Sequence, residues 1–311
     1  MSTNTVRIAT RRSPLAWRQA ESVAEQLRAM HEGLEVELVG MRTEGDRVLD
    51  RALAEIGGKG LFVKELEQGL LDGRADIAVH SMKDVPADVP FPDGLHLPVI
   101  MARESPYDAF VSPCCAGPLE LPEGAVIGTC SLRRSAQLLH RLPHCSVRQL
   151  RGNVNTRLAK LEAGEFDAIV LAEAGLRRLG MAERITARLD PALCLPGIGQ
   201  GALGIESRVD DADIGALIAP LADADTSACV MAERAVSHGV GAGCLSPIAG
   251  FARVSAGRLE LEARVGAADG SALVAARESG PATEAAAIGD RVAQSLLERG
   301  AGELLALAAG E

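Results

Sequence analysis

The chain alternates between strand-like and helix-like segments, and this alternation occurs twice along the sequence. The first series comprises the strand VRIAT, a helix after Ser13, the strand EVELVG, the helix LFVKELEQGLLDG and the strand ADIAVHS. Ser13 suits a helix N-cap, and Pro14 suits the first helical position. Alternating strands and helices predict a mainly parallel sheet covered by helices. We therefore expect the first part of the chain to be an α/β lobe.

A second series of the same kind follows a proline-rich segment at 86–98. It comprises the strand AVIGT, a helix from Ser131, the strand SVRQLRG, the helix VNTRLAKLEAG and the strand FDAIVLA. The segment IATRRS of the first series resembles IGTCSLRRS of the second, and both lie where a first strand leads into a first helix. The sequence thus predicts two lobes of similar architecture.

The pattern changes after about residue 222. A helix, TSACVMAERAVSHG, precedes a glycine-rich turn, the strands AGFARVS and RLELEARVG, and a long alanine-rich helix that runs to the end. This order predicts a smaller α+β domain. A chain of 311 residues also exceeds the roughly 150 residues of an average domain, which supports a multidomain protein.

Charge and cysteine content exclude several classes of protein. A net charge of −10 disfavours nucleic acid as a partner. The apolar runs fall short of the ~18 residues of a membrane span, and the first residues lack the apolar core of an export signal, so we expect a cytoplasmic protein. The seven cysteines include no C-x-x-C pair, which disfavours a disulfide framework and a zinc site. Cys114 and Cys115 are expected to lie in a loop.

Arginines lie at several junctions where a predicted strand leads into a helix. In open α/β sheets, ligands bind at the carboxyl ends of strands, where helix N-termini offer free N–H groups. A single arginine is more often a solvated surface group, but several at equivalent junctions favour recognition of carboxylates or phosphates. The polar residues at or near these junctions are Arg11, Ser13, Ser131, Arg133, Arg134, Arg151 and Arg157. They predict a cleft that binds a polyanion.

Two further segments carry reactive side chains. AVHSMKDVP places His80, Ser81, Lys83 and Asp84 at the end of a buried strand. Asp84 is either a counter-ion for the nearby cations or a group that handles a proton or stabilises a developing positive charge. In GVGAGCLSPIAG, Cys244 is either an ordinary loop thiol or an exposed nucleophile that carries a covalent adduct. The residues alone leave both pairs of alternatives open.

Two apparent nucleotide motifs lack their structural context. GQGALG at 199–204 fits the dinucleotide pattern, but prolines precede it and no helical pattern follows it. GGKG at 57–60 lacks the earlier glycine and the Ser/Thr of a P-loop. The sequence therefore gives no support for nucleotide binding.

Eight segments, in the same order along the chain, resemble the porphobilinogen deaminase family. They are RIATRRSPLA, GGKGLFVKELE, AVHSMKDVP, IGTCSLRRSAQL, RGNVNTRLAKLE, GIGQGALGIE, AERAV and GAGCLSPIAG. The resemblance implies two lobes with the topology of periplasmic binding proteins and a C-terminal α+β domain that carries the cofactor cysteine. It further implies that residues 1–102 and 200–220 form lobe one, residues 103–199 form lobe two, and residues 221–311 form the third domain.

The resemblance also implies an activity. Enzymes of this family are transferases that condense four porphobilinogen molecules head to tail on a covalently attached dipyrromethane, release ammonia, and hydrolyse off linear hydroxymethylbilane for tetrapyrrole biosynthesis. By this likeness, Cys244 forms the thioether to dipyrromethane. A covalent tether keeps the growing polyanion at high effective concentration. The expected partners are porphobilinogen and the growing chain, and the enzyme is expected to be a monomer.

The site residues implied by the resemblance fall into four groups. Asp84 is the catalytic carboxylate. Besides Cys244, the cofactor is bound by Ser13, Lys83, Ser131, Arg133 and Arg134. The substrate is bound by Arg11, Arg151, Arg157 and Arg178. Lys59 and Phe62 belong to a mobile loop near the site. No metal is implied.

Some residues depart from the family pattern, and two alternatives come from other classes. Ala242 stands where the family more often has glycine, Leu245-Ser246 replaces a polar residue and valine, Asn155 replaces a glycine, and Gly197 an alanine; these changes affect loop geometry rather than reacting groups. The alternatives are a two-lobed solute-binding protein for a small anion and an effector domain of a transcription regulator. The first has no use for Cys244, and the sequence shows no helix-turn-helix for the second.

Overall fold

The computed structural model describes residues 5–42, 63–243 and 245–309. The chain divides into two compact units, one made of Met1–Arg103 with Ala202–Ser227 and the other of Glu104–Gly201 with Ala228–Glu311. The described residues include no helix that is long and apolar enough to cross a membrane. The division into three domains stays a prediction.

Thirteen strands and nine helices are labelled in chain order within the described residues. The strands are β1 (Thr5–Arg11), β2 (Glu35–Met41), β3 (Ile77–Ser81), β4 (Leu95–Ile100), β5 (Asp108–Val111), β6 (Val126–Gly128), β7 (Ser146–Arg148), β8 (Ala168–Ala172), β9 (Ala187–Arg188), β10 (Leu203–Arg208), β11 (Ile248–Ser255), β12 (Arg258–Gly266) and β13 (Leu273–Pro281). The helices are α1 (Pro14–Met30), α2 (Lys64–Leu71), α3 (Leu132–Arg141), α4 (Val154–Glu162), α5 (Glu173–Arg178), α6 (Ala212–Ile218), α7 (Ala224–Gly239), α8 (Ala285–Glu298) and α9 (Ala301–Ala309).

The sheet of the first unit has the strand order β2-β1-β3-β10-β4. Strand β1 pairs in parallel with β2 and β3, whereas β10 lies antiparallel between β3 and β4. Helix α1 buries Val23 and Leu27 against Ile8 and Ile77 of this sheet. These positions lie four residues apart on one apolar face of the helix, so packing against the sheet stabilises the helix.

The second unit contains a sheet of the same design, with the order β7-β6-β8-β5-β9. Strand β6 pairs in parallel with β7 and β8, and β5 lies antiparallel to β8 and β9. One face buries Phe110 and Leu138, and the other buries Leu150 and Leu176. Each of the two sheets thus has a parallel core and one inserted antiparallel strand, which confirms the α/β class and the similarity of the lobes.

The C-terminal segment forms an antiparallel sheet, β11-β12-β13. This sheet shares one hydrophobic core with helices α7, α8 and α9. The expectation of one long terminal helix after β12 is wrong in two respects. Strand β13 pairs along the whole of β12, and the helical segment is divided between α8 and α9. Gly300, whose φ is +91°, lies at the division, because a left-handed residue ends a helix and glycine adopts it without steric cost.

Gly289 provides a direct test of the packing between α7 and α8. A Cβ at this position would collide with the carbonyl oxygen of Ala232 and lie 2.6 Å from the Cβ of Ala235. We expect Gly289→Ala to lower the free energy of unfolding by about 1–3 kcal/mol through overpacking. Gly215 of α6 is the matched control, since a Cβ there meets nothing within 4 Å.

Gly215→Ala should leave stability unchanged or raise it by up to about 1 kcal/mol, because alanine favours a helix more than glycine does. Urea unfolding followed by circular dichroism measures both variants. Equal effects of the two substitutions would contradict the packing between the helices.

Candidate functional site

Polar residues gather at the carboxyl ends of the parallel strands in the first unit. Strand β1 ends at Arg11, and Ser13 caps α1 by accepting a hydrogen bond from the Ala16 N–H at 3.3 Å. Strand β3 ends at Ser81 and continues into a single 3-10 turn, Met82–Asp84. Since β1 and β3 are parallel neighbours, the structure brings Arg11, Ser13, Lys83 and Asp84 to one sheet edge, where all four are half-buried.

Two buried contacts fix the end of β3. Gln19 of α1, itself buried, donates to the hydroxyl of Ser81 at 3.0 Å. His80 lies inside the lobe, where its Nε2 is 2.7 Å from Oε2 of the buried Glu206 on β10. Glu67 of α2 lies near this pair, and its pKa is raised by burial and by the charge of Glu206. His80 therefore anchors β3 to β10 just before the 3-10 turn that contains Asp84.

The equivalent edge of the second unit begins at α3. Ser131 caps this helix by accepting from the Arg134 N–H at 3.4 Å, as the sequence predicts. Asn153 caps α4 in the same way by accepting from the Thr156 N–H at 2.9 Å. Both helices start after strands that run parallel, β6 and β7. Two helix N-termini therefore open at this edge, and each is suited to an anion.

Arg133 and Arg134 share one buried carboxylate, that of Asp108. Asp108 is fully buried, and the two arginine side chains are 8% and 7% exposed. Arg133 Nη1 is 2.7 Å from Oδ2, and Arg134 Nη2 is 2.8 Å from Oδ1. Both arginines therefore have a protein partner in this structure. Their role as cofactor ligands stays a prediction.

The sequence analysis did not identify Asp108. Strand β5 runs antiparallel to β8, and its first residue pairs with Ala172, the last residue of β8. The amino end of β5 therefore lies at the carboxyl edge of the parallel strands. A rule that considers only the carboxyl ends of strands misses it. The available signal is an aspartate directly before the apolar run AFV, which is unusual because a buried carboxylate requires a partner.

The ion pairs of Asp108 control its protonation. Burial by itself raises the pKa of this carboxyl, but the charges of Arg133 and Arg134 outweigh burial and hold the pKa well below its usual range. The neighbouring Cys194 behaves in the opposite way: burial and the charge of Asp108 raise the pKa of its thiol to about 12. Asp108 is therefore a carboxylate and Cys194 a neutral thiol at neutral pH.

Arg157 and Arg178 are half-buried cations at the same edge. Arg157 Nε donates to the carbonyl of Gly152 at 2.8 Å, and burial lowers the pKa of Arg157, as do the charges of Arg134 and Arg151. Arg178 donates to the carbonyl of Gly201 at 2.7 Å, and burial lowers the pKa of Arg178. Their guanidinium groups lie where an anion would stabilise the charged form.

One expectation about Arg151 is wrong. The segment SVRQLRG was predicted as a strand that ends at Arg151, but β7 ends at Arg148. Gly152 has a φ of +111°, a left-handed conformation that an extended strand does not contain. Arg151 therefore lies in the connection to α4, where it is half-buried.

Three predicted site residues, Lys59, Phe62 and Cys244, lie outside the described residues. The chain on either side of position 244 is described: the Ser237 hydroxyl donates to the Ala242 carbonyl at 2.8 Å, and the Gly243 N–H donates to the Ser246 hydroxyl at 3.1 Å. Within the described ranges no group of three or more His, Cys, Asp or Glu side chains could hold a metal ion.

A carboxylate with two arginine partners also lies where β8 leads into α5. Glu173 is 2% exposed, and its oxygens are 2.7 Å from Arg188 Nε and 2.6 Å from Arg177 Nη2. The hydrogen bonds from Arg188 and, to a smaller extent, Arg177 lower the pKa of Glu173 to about 2, although burial by itself raises it. This ion pair joins α5 to β9 beside the edge that carries Asp108.

Comparison with known proteins identifies related sequences along nearly the whole chain. The family model for the "dipyromethane cofactor binding domain" of porphobilinogen deaminase matches residues 6–216, and that for its C-terminal domain matches residues 227–298. A porphobilinogen deaminase of Chromobacterium violaceum is 54% identical over 304 residues, which are 98% of each chain.

The solved structures to which this chain is similar include two solute-binding proteins. One is a TRAP solute-binding protein from Desulfovibrio salexigens, 12% identical, with 70% of this chain and 72% of that chain covered at a TM-score of 0.44. Another is a periplasmic substrate-binding protein of an ABC transporter from Coxiella burnetii, 14% identical, with 70% and 91% covered at a TM-score of 0.44. These likenesses are too distant to support an argument about ligands.

The pKa of Glu173 predicts how its contribution to stability changes with pH. Because the pKa is lower in the folded chain than its ordinary value of 4.5, the carboxylate stabilises the fold above that pH, and this stabilisation is lost as the pH falls toward about 2. We expect Glu173→Gln to lower the free energy of unfolding by about 1–3 kcal/mol at pH 7. The deficit should shrink between pH 5 and the folded-state pKa.

The matched control for this measurement is Glu162→Gln. Glu162 pairs with Arg184 on the surface, where the two side chains are 60% and 35% exposed, and such pairs contribute about 0–1 kcal/mol. Denaturant unfolding at a series of pH values measures both variants. A deficit for Glu173→Gln that stays constant down to pH 3 would show that its charge is not responsible.

Proposed function

The chain belongs to the porphobilinogen deaminase family, and we propose that the two polar sheet edges described above bind its dipyrromethane cofactor and its substrate. Enzymes of this family are transferases that join four porphobilinogen molecules, release ammonia, and free linear hydroxymethylbilane for tetrapyrrole biosynthesis. The observation that carries this function is the match to a porphobilinogen deaminase at 54% identity over 98% of both chains.

The residues at the two edges fit a ligand rich in carboxylates. Each pyrrole unit of substrate and cofactor carries an acetate and a propionate. The pKa values of Arg157 and Arg178 are lowered because their charges are buried, and an anion beside them would reverse that cost. Ser131 marks a helix N-terminus of the kind that accepts anions. When bound, dipyrromethane supplies the covalent primer for chain growth.

We assign the binding roles of residues at these edges by their resemblance to the family. Ser13 and Lys83 in the first unit, and Ser131, Arg133 and Arg134 in the second, bind the carboxylates of the cofactor. Arg11, Arg151, Arg157 and Arg178 bind those of the substrate. The planar fork of arginine donates two parallel hydrogen bonds to a carboxylate, so several arginines orient a pyrrole that carries two acidic groups.

Asp84 is proposed as the catalytic carboxylate. It lies in the 3-10 turn after β3, directly after Lys83. When porphobilinogen loses ammonia, positive charge develops on the pyrrole, and a fixed carboxylate beside the pyrrole N–H stabilises this charge as it forms. The same group can accept the proton that leaves the ring carbon after bond formation. The contact of His80 with Glu206 holds the strand that carries this turn.

Several sequence-based expectations remain predictions for this chain. They are attachment of dipyrromethane at Cys244, contributions of Lys59 and Phe62 to a loop near the site, a monomeric state, a cytoplasmic location and the lack of nucleic acid partners. Membrane and metal partners are likewise not expected.

Cys244→Ser tests the site of attachment. The substitution keeps the size of the side chain but removes the sulfur that forms the thioether, so the purified variant should fold, lack the mass of two pyrrole units and lose activity. Intact-protein mass spectrometry measures the attachment. Cys114→Ser is the control, because Cys114 is exposed in a loop, and it should retain mass and activity. A Cys244→Ser variant with full cofactor content would place the attachment elsewhere.

Asp84→Asn tests the catalytic role. The amide keeps the shape but not the charge, so the rate of hydroxymethylbilane formation should fall on the order of 10² to 10³-fold or more, while cofactor content by mass is largely retained. Asp93→Asn, at an exposed position, should leave the rate unchanged. A near-normal rate for Asp84→Asn would reduce Asp84 to a counter-ion, and a wild-type chain that consumes no porphobilinogen would refute the proposed function itself.

A further inference from the structure

Asp108 lies beneath the start of α3 and accepts hydrogen bonds from several elements. Besides Arg133 and Arg134, the amide of Gln200 donates to its Oδ1 at 3.0 Å. Gln200 also donates to the carbonyl of Pro106 at 2.6 Å. One carboxylate therefore joins β5, α3 and the turn that precedes β10.

We propose that Asp108 is a positioning residue for the reaction: it holds the guanidinium groups of Arg133 and Arg134 in the orientation that ligand carboxylates require. This inference rests on the proposed function, because the ligand is the dipyrromethane and pyrrole chain assigned to this edge. Asp108 itself is fully buried and acts through the two arginines.

The two arginine side chains are fixed at more than one point. Arg133 Nη1 donates to the Leu195 carbonyl at 2.8 Å in addition to Asp108. Arg134 Nη1 donates to the Val170 carbonyl at 2.9 Å, while its Nε and Nη2 both reach Asp108 Oδ1. A guanidinium bound at two of its corners has a defined plane. Such fixed groups lose little further freedom when they bind a ligand.

The group of Asp108, Arg133 and Arg134 keeps a net positive charge after this pairing. In the described part of the chain, the side-chain hydrogen bonds of Arg133 and Arg134 reach one carboxylate, so two cations share one anion. Cys194 adds no charge, because the pKa of its thiol is raised to about 12. The charge of Arg134 is also felt at Arg157, whose pKa it lowers. Asp108 thus orients the arginines without cancelling their attraction for carboxylates.

Two substitutions separate positioning from simple charge. Asp108→Asn removes a negative charge, so an account based on charge alone predicts tighter binding of an anionic substrate and a lower KM. Asp108→Glu keeps the charge but moves the carboxylate by one methylene, so the same account predicts an unchanged KM. Positioning predicts a raised KM for both, with a fall in kcat/KM of about 10 to 100-fold for Asp108→Asn, since a displacement near 1 Å can cost about 10²-fold.

The experiment measures KM and kcat for porphobilinogen with purified protein, together with the melting temperature and the cofactor content by intact mass. A purely structural role would lower the melting temperature while the KM of the folded fraction stays at the wild-type value, and this result would overturn the proposal. A lowered KM for Asp108→Asn would overturn it as well. A raised KM for both variants, in protein whose cofactor content is known, supports it.

A milder variant covers the case in which Asp108→Asn fails to fold. Gln200→Met removes the amide that donates to Asp108. It keeps the charges of Asp108, Arg133 and Arg134 and the approximate volume of the side chain at position 200. A positioning role predicts that this variant also raises KM, but by a smaller factor than Asp108→Asn does. Wild-type KM and kcat for this variant, with Asp108→Glu also normal, would refute the proposal. Activity of the wild-type enzyme on porphobilinogen is measured in parallel, so failure of the proposed function is distinguished from failure of this inference.

Discussion

In each lobe, one strand that runs antiparallel to its neighbours carries a fully buried carboxylate. In the second unit, β5 enters the sheet antiparallel and places Asp108 beneath Arg133 and Arg134. In the first unit, β10 does the same and places Glu206 against His80 of β3. Both carboxylates are fully buried; Asp108 contacts two arginines in the first turn of α3, and Glu206 contacts a histidine near the end of β3. The inserted strands therefore support the residues that the parallel strands present.

The electrostatics of the second edge follow from this arrangement. A buried carboxylate with two arginines is stable because its hydrogen bonds are satisfied, whereas a lone buried charge would be costly. The protein satisfies Arg133 and Arg134 through Asp108, but Arg157 and Arg178 donate to backbone carbonyls and have lowered pKa values. In the proposed function, the carboxylates of the pyrrole chain complete the charge balance.

The sequence predicted those features that depend on local patterns. The two α/β series, the caps Ser13 and Ser131 and the strands β11 and β12 are present in the structure, because periodicity and capping are properties of neighbouring residues. Strands β4, β5, β9, β10 and β13 were not predicted; β5 pairs with β8 and β10 with β3, whose residues lie far away in the sequence. Asp108 was missed for the same reason: its partners lie 25 and 26 positions further along the chain, and no local rule connects them.

The family resemblance, rather than any pattern, led to the prediction that Cys244 and Asp84 are reacting groups. The structure shows why residues alone could not decide between the alternatives for Asp84: its turn is half-buried beside Lys83, a setting that suits a counter-ion and a catalyst equally. Chemistry at this position depends on the ligand. The resemblance supplied the expected ligand, and the role of the arginines toward it stays a prediction.

The most direct test of this account is a crystal structure of the cofactor-loaded enzyme that resolves the pyrrole carboxylates. The account predicts carboxylate oxygens within hydrogen-bonding distance, about 2.7–3.0 Å, of the guanidinium groups of Arg157 or Arg178 and at the N-terminus of α3, with Asp108 still bound to Arg133 and Arg134. Carboxylates that face only solvent, with these arginines contacting protein alone, would contradict it.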